Sequence, residues 1–219
     1  MINMEAWVNT FMEALDAVFG SRVWFVGLQG SRGRGEATEM SDIDMVVILD
    51  KLENEDIQSY HDMLDTLEHR ELMCGFLSGK YELFAWDPSD LFQLCHDTTP
   101  LRGSLEAVMQ RIDDKAIDRA IHLGVCNLFH GCVHNRLYGK SPEALYGLYK
   151  GASFVVQAIA YRENGSYTRH IKDLLTVVSG EERAVLETFL TFKNGGEVDF
   201  QAATGLLFDW TKKWINALG

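Results

Sequence analysis

The sequence predicts an α+β protein, with a small mixed-sheet domain over residues 1–102 and an all-α helical bundle over residues 103–219. Two observations carry this. Short aromatic and β-branched runs that end in glycine-rich or turn segments are confined to the first hundred residues. After Pro100 apolar residues recur at steps of three and four, and almost no strand-like run remains. The 219 residues, 47% hydrophobic and 24% charged with only 3 prolines, have the composition of an ordered, packed protein.

The elements follow in order. Trp7, Val8, Phe11, Met12, Leu15 and Phe19 lie on one face of a helix over residues 4–19, which Gly20 stops. Val23 to Leu28 reads as a buried strand that runs into the segment Gly30-Ser31-Arg32-Gly33-Arg34-Gly35. Ile43 to Leu49 reads as a second strand, Asn54 to His69 as a helix, and Tyr81 to Trp86 as a third strand closed by Asp87-Pro88. Asp87 and Asp90 read as a turn and a helix start. In the second half, helices are expected over residues 113–138, 141–163, 170–178, 181–192 and 199–218. The second of these has an N-cap serine, Ser141, before Pro142, and Asn164-Gly165 as its stop. No repeat or polar linker separates the halves, whose boundary is placed near residues 101–104.

A formal net charge of −12 argues against a nucleic-acid grip, which needs clustered Lys and Arg, and suits a small or cationic partner. Cys74, Cys95, Cys126 and Cys132 lack paired CxxC spacing, and no basic region followed by an apolar run opens the chain. Free thiols and a cytoplasmic location are expected. No stretch approaches the roughly 20 apolar residues of a membrane span.

The most informative segment is Gly30-Ser31, ten residues, then Asp42-Ile43-Asp44 at the head of an apolar strand. Strand alternation projects Asp42 and Asp44 to one face and Ile43 to the other. Two such carboxylates repel unless a cation lies between them, and their hard oxygens suit Mg²⁺ shared with phosphates. In the preceding loop Gly30 permits close backbone approach, Ser31 offers a hydroxyl, and Arg32 and Arg34 offer cationic donors. A metal-bound triphosphate fits such a site. The alternative is a flexible loop with Asp42 as a cap or turn residue and Asp44 as a solvated strand residue. The glycines do not match G-x-G-x-x-G, and no Lys-Ser or Lys-Thr makes a P-loop.

Leu28-Gln29-Gly30-Ser31 followed by Ser41-Asp42-Ile43-Asp44-Met45-Val46-Val47 resembles the nucleotidyltransferase superfamily of DNA polymerase beta. The wording is similar to its small bacterial branch of minimal, kanamycin and lincosamide nucleotidyltransferases, over roughly the first hundred residues. The helical half is similar only in general plan to accompanying bundles such as the HEPN type. The resemblance implies transfer of a nucleoside monophosphate, AMP from ATP foremost, to a hydroxyl of a small acceptor. It also implies two Mg²⁺ ions held by Asp42, Asp44 and a third carboxylate on a neighbouring strand. Glu82, within the apolar run Tyr81 to Trp86, is the candidate, although the family more often has Asp there; an exposed edge-strand glutamate is the alternative.

The helical half offers further phosphate contacts in Lys150, four residues from Tyr146, and in Tyr167, Arg169 and Lys172. A packed tyrosine with a snorkelling lysine is the competing account. Glu106 is one of several carboxylates that suit a catalytic base, and none is preferred. His122, Cys126, His130 and His134 follow at steps of four, but each step drifts about 40° around a helix, so only an adjacent pair can meet one ion. The separation of Arg162 from His170 exceeds the short spacing of nuclease-type HEPN domains. Two competing functions stay open: AMP transfer to a protein side chain, as in toxin-neutralising enzymes, and a nucleotide-binding module that has lost turnover. No nucleic-acid or membrane partner is expected, and the chain is taken as a monomer or homodimer.

Overall fold

The computed structural model describes residues 2–39 and 41–219. Helix α1 (Met4–Phe19) starts where the Asn3 side chain accepts from the Ala6 amide, and it buries Trp7, Phe11, Leu15 and Phe19. Strand β1 (Val23–Gln29), the single turn α2 (Gly30–Gly33) and strand β2 (Ile43–Leu49) follow. Helix α3 (Asn54–Leu64) leads to β3 (Met73–Gly79), α4 (Lys80–Ala85), α5 (Pro88–Asp97) and β4 (Thr99–Arg102). The strands form one mixed sheet in the order β3-β2-β1-β4. β1 is antiparallel to β2 and β4, whereas β2 is parallel to β3. A parallel pair needs a crossover, and α3 lies in it.

Ile43, Met45, Val47 and Leu49 pack in one cluster with the buried face of α1. Val46 and Ile48, which alternate with them, are fully buried as well. β2 is therefore covered on both faces up to Asp44, which is half-buried.

Three expectations are corrected here. Residues 81–86 are not a strand: α4 takes Lys80–Ala85 and the third strand is the preceding Met73–Gly79. Pairing with the strongly apolar β2 outweighs the weak strand propensity of Met-Cys-Gly-Phe-Leu-Ser-Gly. At Gly75 (φ +146°) an added Cβ would fall 2.0 Å from the Met45 carbonyl oxygen, so the glycine lets this edge strand close onto β2. Second, a strand does survive near Pro100: β4 contains that proline and tolerates it at the sheet edge. Third, α3 ends at Leu64, short of His69, in a run of tight turns.

The remaining elements are α6 (Glu106–Met109), α7 (Asp114–His134), a π turn over Asn135–Gly139, α8 (Pro142–Asn164), α9 (Ile171–Val177), α10 (Gly180–Lys193) and α11 (Phe200–Leu218). Their borders follow the capping residues. Asp113, Ser141 and Asp199 accept from the amides of Ala116, Ala144 and Ala202 at 2.8, 3.0 and 2.7 Å, and Gly165 ends α8 at φ +69°. Ile121, Val125, Tyr149, Val156, Leu186, Leu207 and Trp210 lie at the centre of the helical core. The chain divides into two compact units, residues 1–87 with 94–111 and residues 88–93 with 112–219. The second unit takes the start of α5 together with the helices from residue 112 onward, and Phe92 of α5 belongs to its core.

Candidate active site

The site grows out of the end of β1. Gln29 pairs with Asp44 across the ladder, and the chain then turns at Gly30 with φ +69°, a conformation that favours glycine. A Cβ at Gly30 would lie 2.1 Å from Asp44 Oδ2, so the carboxylate rests against the bare backbone of the turn. Ser31 is half-buried, and its hydroxyl makes no hydrogen bond among the described residues. Its carbonyl is used to close the loop, accepting from the Glu36 amide at 2.8 Å.

Asp42 is exposed and stands just ahead of the ladder, with Ile43 fully buried behind it. Gly30, Ser31, Asp42 and Asp44 therefore belong to one end of the sheet. The two loop arginines are differently employed. Arg32 is buried, and its guanidinium donates to the carbonyls of Ser41 and Asp42. Arg34 pairs with the buried Asp97 and, at 3.4 Å, with Glu36. Both charges are spent inside the scaffold rather than offered outward to a phosphate.

Glu82 is not a strand residue facing the aspartates. It is the third residue of α4, and its carboxylate folds back over Gly79, 2.1 Å from where a Cβ on that residue would be. An acid there is favoured by the free amides and positive end of its own helix. Among the described residues no three His, Cys, Asp or Glu side chains come together as a metal cluster, the trio of Asp42, Asp44 and Glu82 included. β1, β3 and β4 contain no carboxylate at all, and the β3 residue in register with Asp44 is the exposed Cys74. Cys95, by contrast, is buried, and desolvation pushes its thiol up to about 12.

The candidates of the helical half lie in the second unit. Lys150 and Lys172 are exposed on α8 and α9. Tyr167 is half-buried; its hydroxyl accepts from Gln93 Nε2 at 2.7 Å and donates to Gln157 Oε1 at 3.3 Å, with its ring edge-on to Phe92. Tyr146 stacks on Phe189. The residue that sequence reasoning missed is Asp97, the anchor of Arg34. An acid close behind Leu91, Phe92, Leu94 and Cys95 was the available signal for Asp97.

Residues 9–91 match the family model of the nucleotidyltransferase domain. No curated protein matches the sequence. Among solved structures, the spectinomycin adenyltransferase AAD(9) from Enterococcus faecialis, with ATP and spectinomycin, is similar over 97% of this chain and 99% of its own at 14% identity, with a TM-score of 0.61. A toxin-antitoxin with AMP-PNP covers 52% of this chain and 87% of its own at 21% identity, TM-score 0.36. A nucleotidyltransferase-like protein from Exiguobacterium sibiricum covers 98% and 75% at 12% identity, TM-score 0.35. The first of these shares the α+β fold with its helical C-terminal region.

Proposed function

Because residues 9–91 match the nucleotidyltransferase domain model, we propose that the protein transfers AMP from ATP to a hydroxyl of a small cationic acceptor, with Mg²⁺ on the triphosphate. The observation that carries this is the contact of the Asp44 carboxylate with the backbone of Gly30, beside a Ser31 hydroxyl that makes no hydrogen bond among the described residues. Asp42 and Asp44 supply the one or two carboxylates that Mg²⁺ takes alongside phosphate oxygens. When bound, Mg²⁺ supplies neutralisation of phosphate charge and polarisation of the phosphoryl group. The missing side chain at Gly30 seats the Asp44 carboxylate against the turn, and the Ser31 hydroxyl donates to a phosphate oxygen. The acceptor oxygen forms a bond to the α-phosphorus as the bond from that phosphorus to the oxygen bridging to the β-phosphate breaks; pyrophosphate leaves with that oxygen and the hydroxyl proton passes to solvent water.

A net charge of −12 favours a cationic acceptor. The shared fold with a neighbour that holds ATP and spectinomycin supports ATP as donor and a small acceptor. A second reading, a nucleotide-binding module without turnover, is favoured by one observation: among the described residues no strand besides β2 carries a carboxylate. Mass spectrometry after incubation with each nucleoside triphosphate, Mg²⁺ and a panel of aminocyclitols, aminoglycosides and protein hydroxyls decides between them. A nucleotide adduct on a small acceptor supports transfer; bound but unconsumed nucleotide across the panel supports the binding module.

A further inference from the structure

Arg32 is only 8% exposed. Its Nε donates to the carbonyls of both Ser41 and Asp42 at 3.1 Å, Nη2 donates to Ser41 O at 2.7 Å, and Nη1 lies 3.5 Å from Met4 Sδ. These are its partners among the described residues, and no carboxylate is one of them. Burying a guanidinium against carbonyl dipoles alone is costly, so the geometry it imposes is what it contributes. Successive carbonyls of an extended strand point in opposite directions. Here two successive carbonyls face a single guanidinium, so the backbone at Asp42 is bent out of the ladder, which accordingly starts at Ile43. Strand alternation sets the direction of Asp44 but not that of Asp42.

We propose that Arg32 is a positioning residue: by clamping the Ser41 and Asp42 carbonyls it aims the Asp42 carboxylate into the site that Gly30 and Asp44 form, without touching the nucleotide. The inference rests on the reading of Asp42 and Asp44 as the Mg²⁺ pair. A lysine at position 32 keeps the charge and the stem but has no planar fork to span two carbonyls. A phosphate ligand and a positioning residue therefore respond differently to the same change.

The test is calorimetric titration of wild type, Arg32→Lys, Asp42→Asn and the double variant with ATP in EDTA and with Mg²⁺ in saturating ATP. Arg32→Lys is expected to weaken Mg²⁺ by about 10–100-fold, the usual scale for losing a group that orients a ligand, while metal-free ATP affinity stays within about twofold. Adding Asp42→Asn to Arg32→Lys should then cost nothing beyond Asp42→Asn alone, because both act through one carboxylate. Amide exchange at residues 42–44 should quicken in Arg32→Lys while that of β1 holds, which separates local release from loss of the fold. Metal-free ATP affinity falling as far as Mg²⁺ affinity makes Arg32 a phosphate ligand and overturns the inference. Wild-type Mg²⁺ affinity in Arg32→Lys, with Asp42→Asn impaired, overturns it while leaving the carboxylate reading intact. Wild-type Mg²⁺ affinity in Asp42→Asn overturns both.

Discussion

Replacing Gly30 by alanine separates the chemistry of the site from the stability of the fold. The left-handed backbone at Gly30 (φ +69°) costs a non-glycine residue about 1 kcal/mol. For a chain of this size that lowers the melting temperature by about 2–4 °C. The new Cβ would lie 2.1 Å from Asp44 Oδ2, against the 3.4 Å at which ordinary contact begins, so the carboxylate has to retreat by about 1.3 Å. Asp44 is half-buried and its carboxylate terminates a short rotatable side chain, so the strain is relieved by turning that group away rather than by breaking the sheet. A displacement of about 1 Å in a reacting constellation costs on the order of 100-fold in rate. Gly30→Ala should therefore melt within a few degrees of wild type yet lose about 100-fold in kcat/KM for transfer, as read by thermal denaturation and pyrophosphate release. Wild-type transfer by a folded Gly30→Ala variant would refute the argument that the bare backbone at Gly30 holds the Asp44 carboxylate in place.

Other consequences follow from the same geometry. Ser31→Ala removes a hydroxyl that makes no hydrogen bond among the described residues, so the unliganded melting temperature should stay within about 1 °C while ATP affinity drops roughly 10-fold, by calorimetry. An unfolded Ser31→Ala variant would make that loop structural. Glu82→Gln changes a helix-start residue of α4, so transfer should persist within about twofold and stability should fall by no more than about 1 kcal/mol; a loss on the order of 100-fold would return Glu82 to the reacting centre. Asp56 is held down to about 2, first by the Arg22 guanidinium and then by the Glu53 amide. Its folded value lies below the ordinary carboxylate value, so this contribution is fully present above about pH 4 and lost as pH falls toward about 2. Asp56→Asn should cost about 1–2 kcal/mol at neutral pH and flatten the wild-type decline between those limits, in denaturant titrations. An unchanged slope contradicts that assignment.

What the sequence revealed of the site was its local grammar. The turn at Gly30 and the strand over Ile43 to Leu49 were legible because glycine at a strand end and the apolar run of a buried strand act over a few residues. The fates of Arg32 and Arg34 were not, since they depend on partners that folding alone brings close: the carbonyls of residues 41 and 42, and Asp97 sixty-three positions along the chain. Tyr81 to Trp86 misled because its aromatic composition suits a strand, while Gly79 and the acid three residues later form a helix start. β3 was hidden because its place rests on backbone contact with β2 at Gly75 rather than on side chains of high strand propensity. The long helices after residue 113 were read with nearly their observed borders, because Asp113, Ser141 and Asp199 are capping residues and Gly165 is a stop.

The central claim is that Asp42 and Asp44 together carry nucleotide transfer. The most direct measurement is pyrophosphate release from ATP with Mg²⁺ and a responsive small acceptor, compared between wild type and the Asp42→Asn and Asp44→Asn variants, each verified as folded by circular dichroism. Acceptor-dependent release by wild type and a fall of at least about 100-fold in each variant is the predicted result. Release at the wild-type rate from either variant contradicts it.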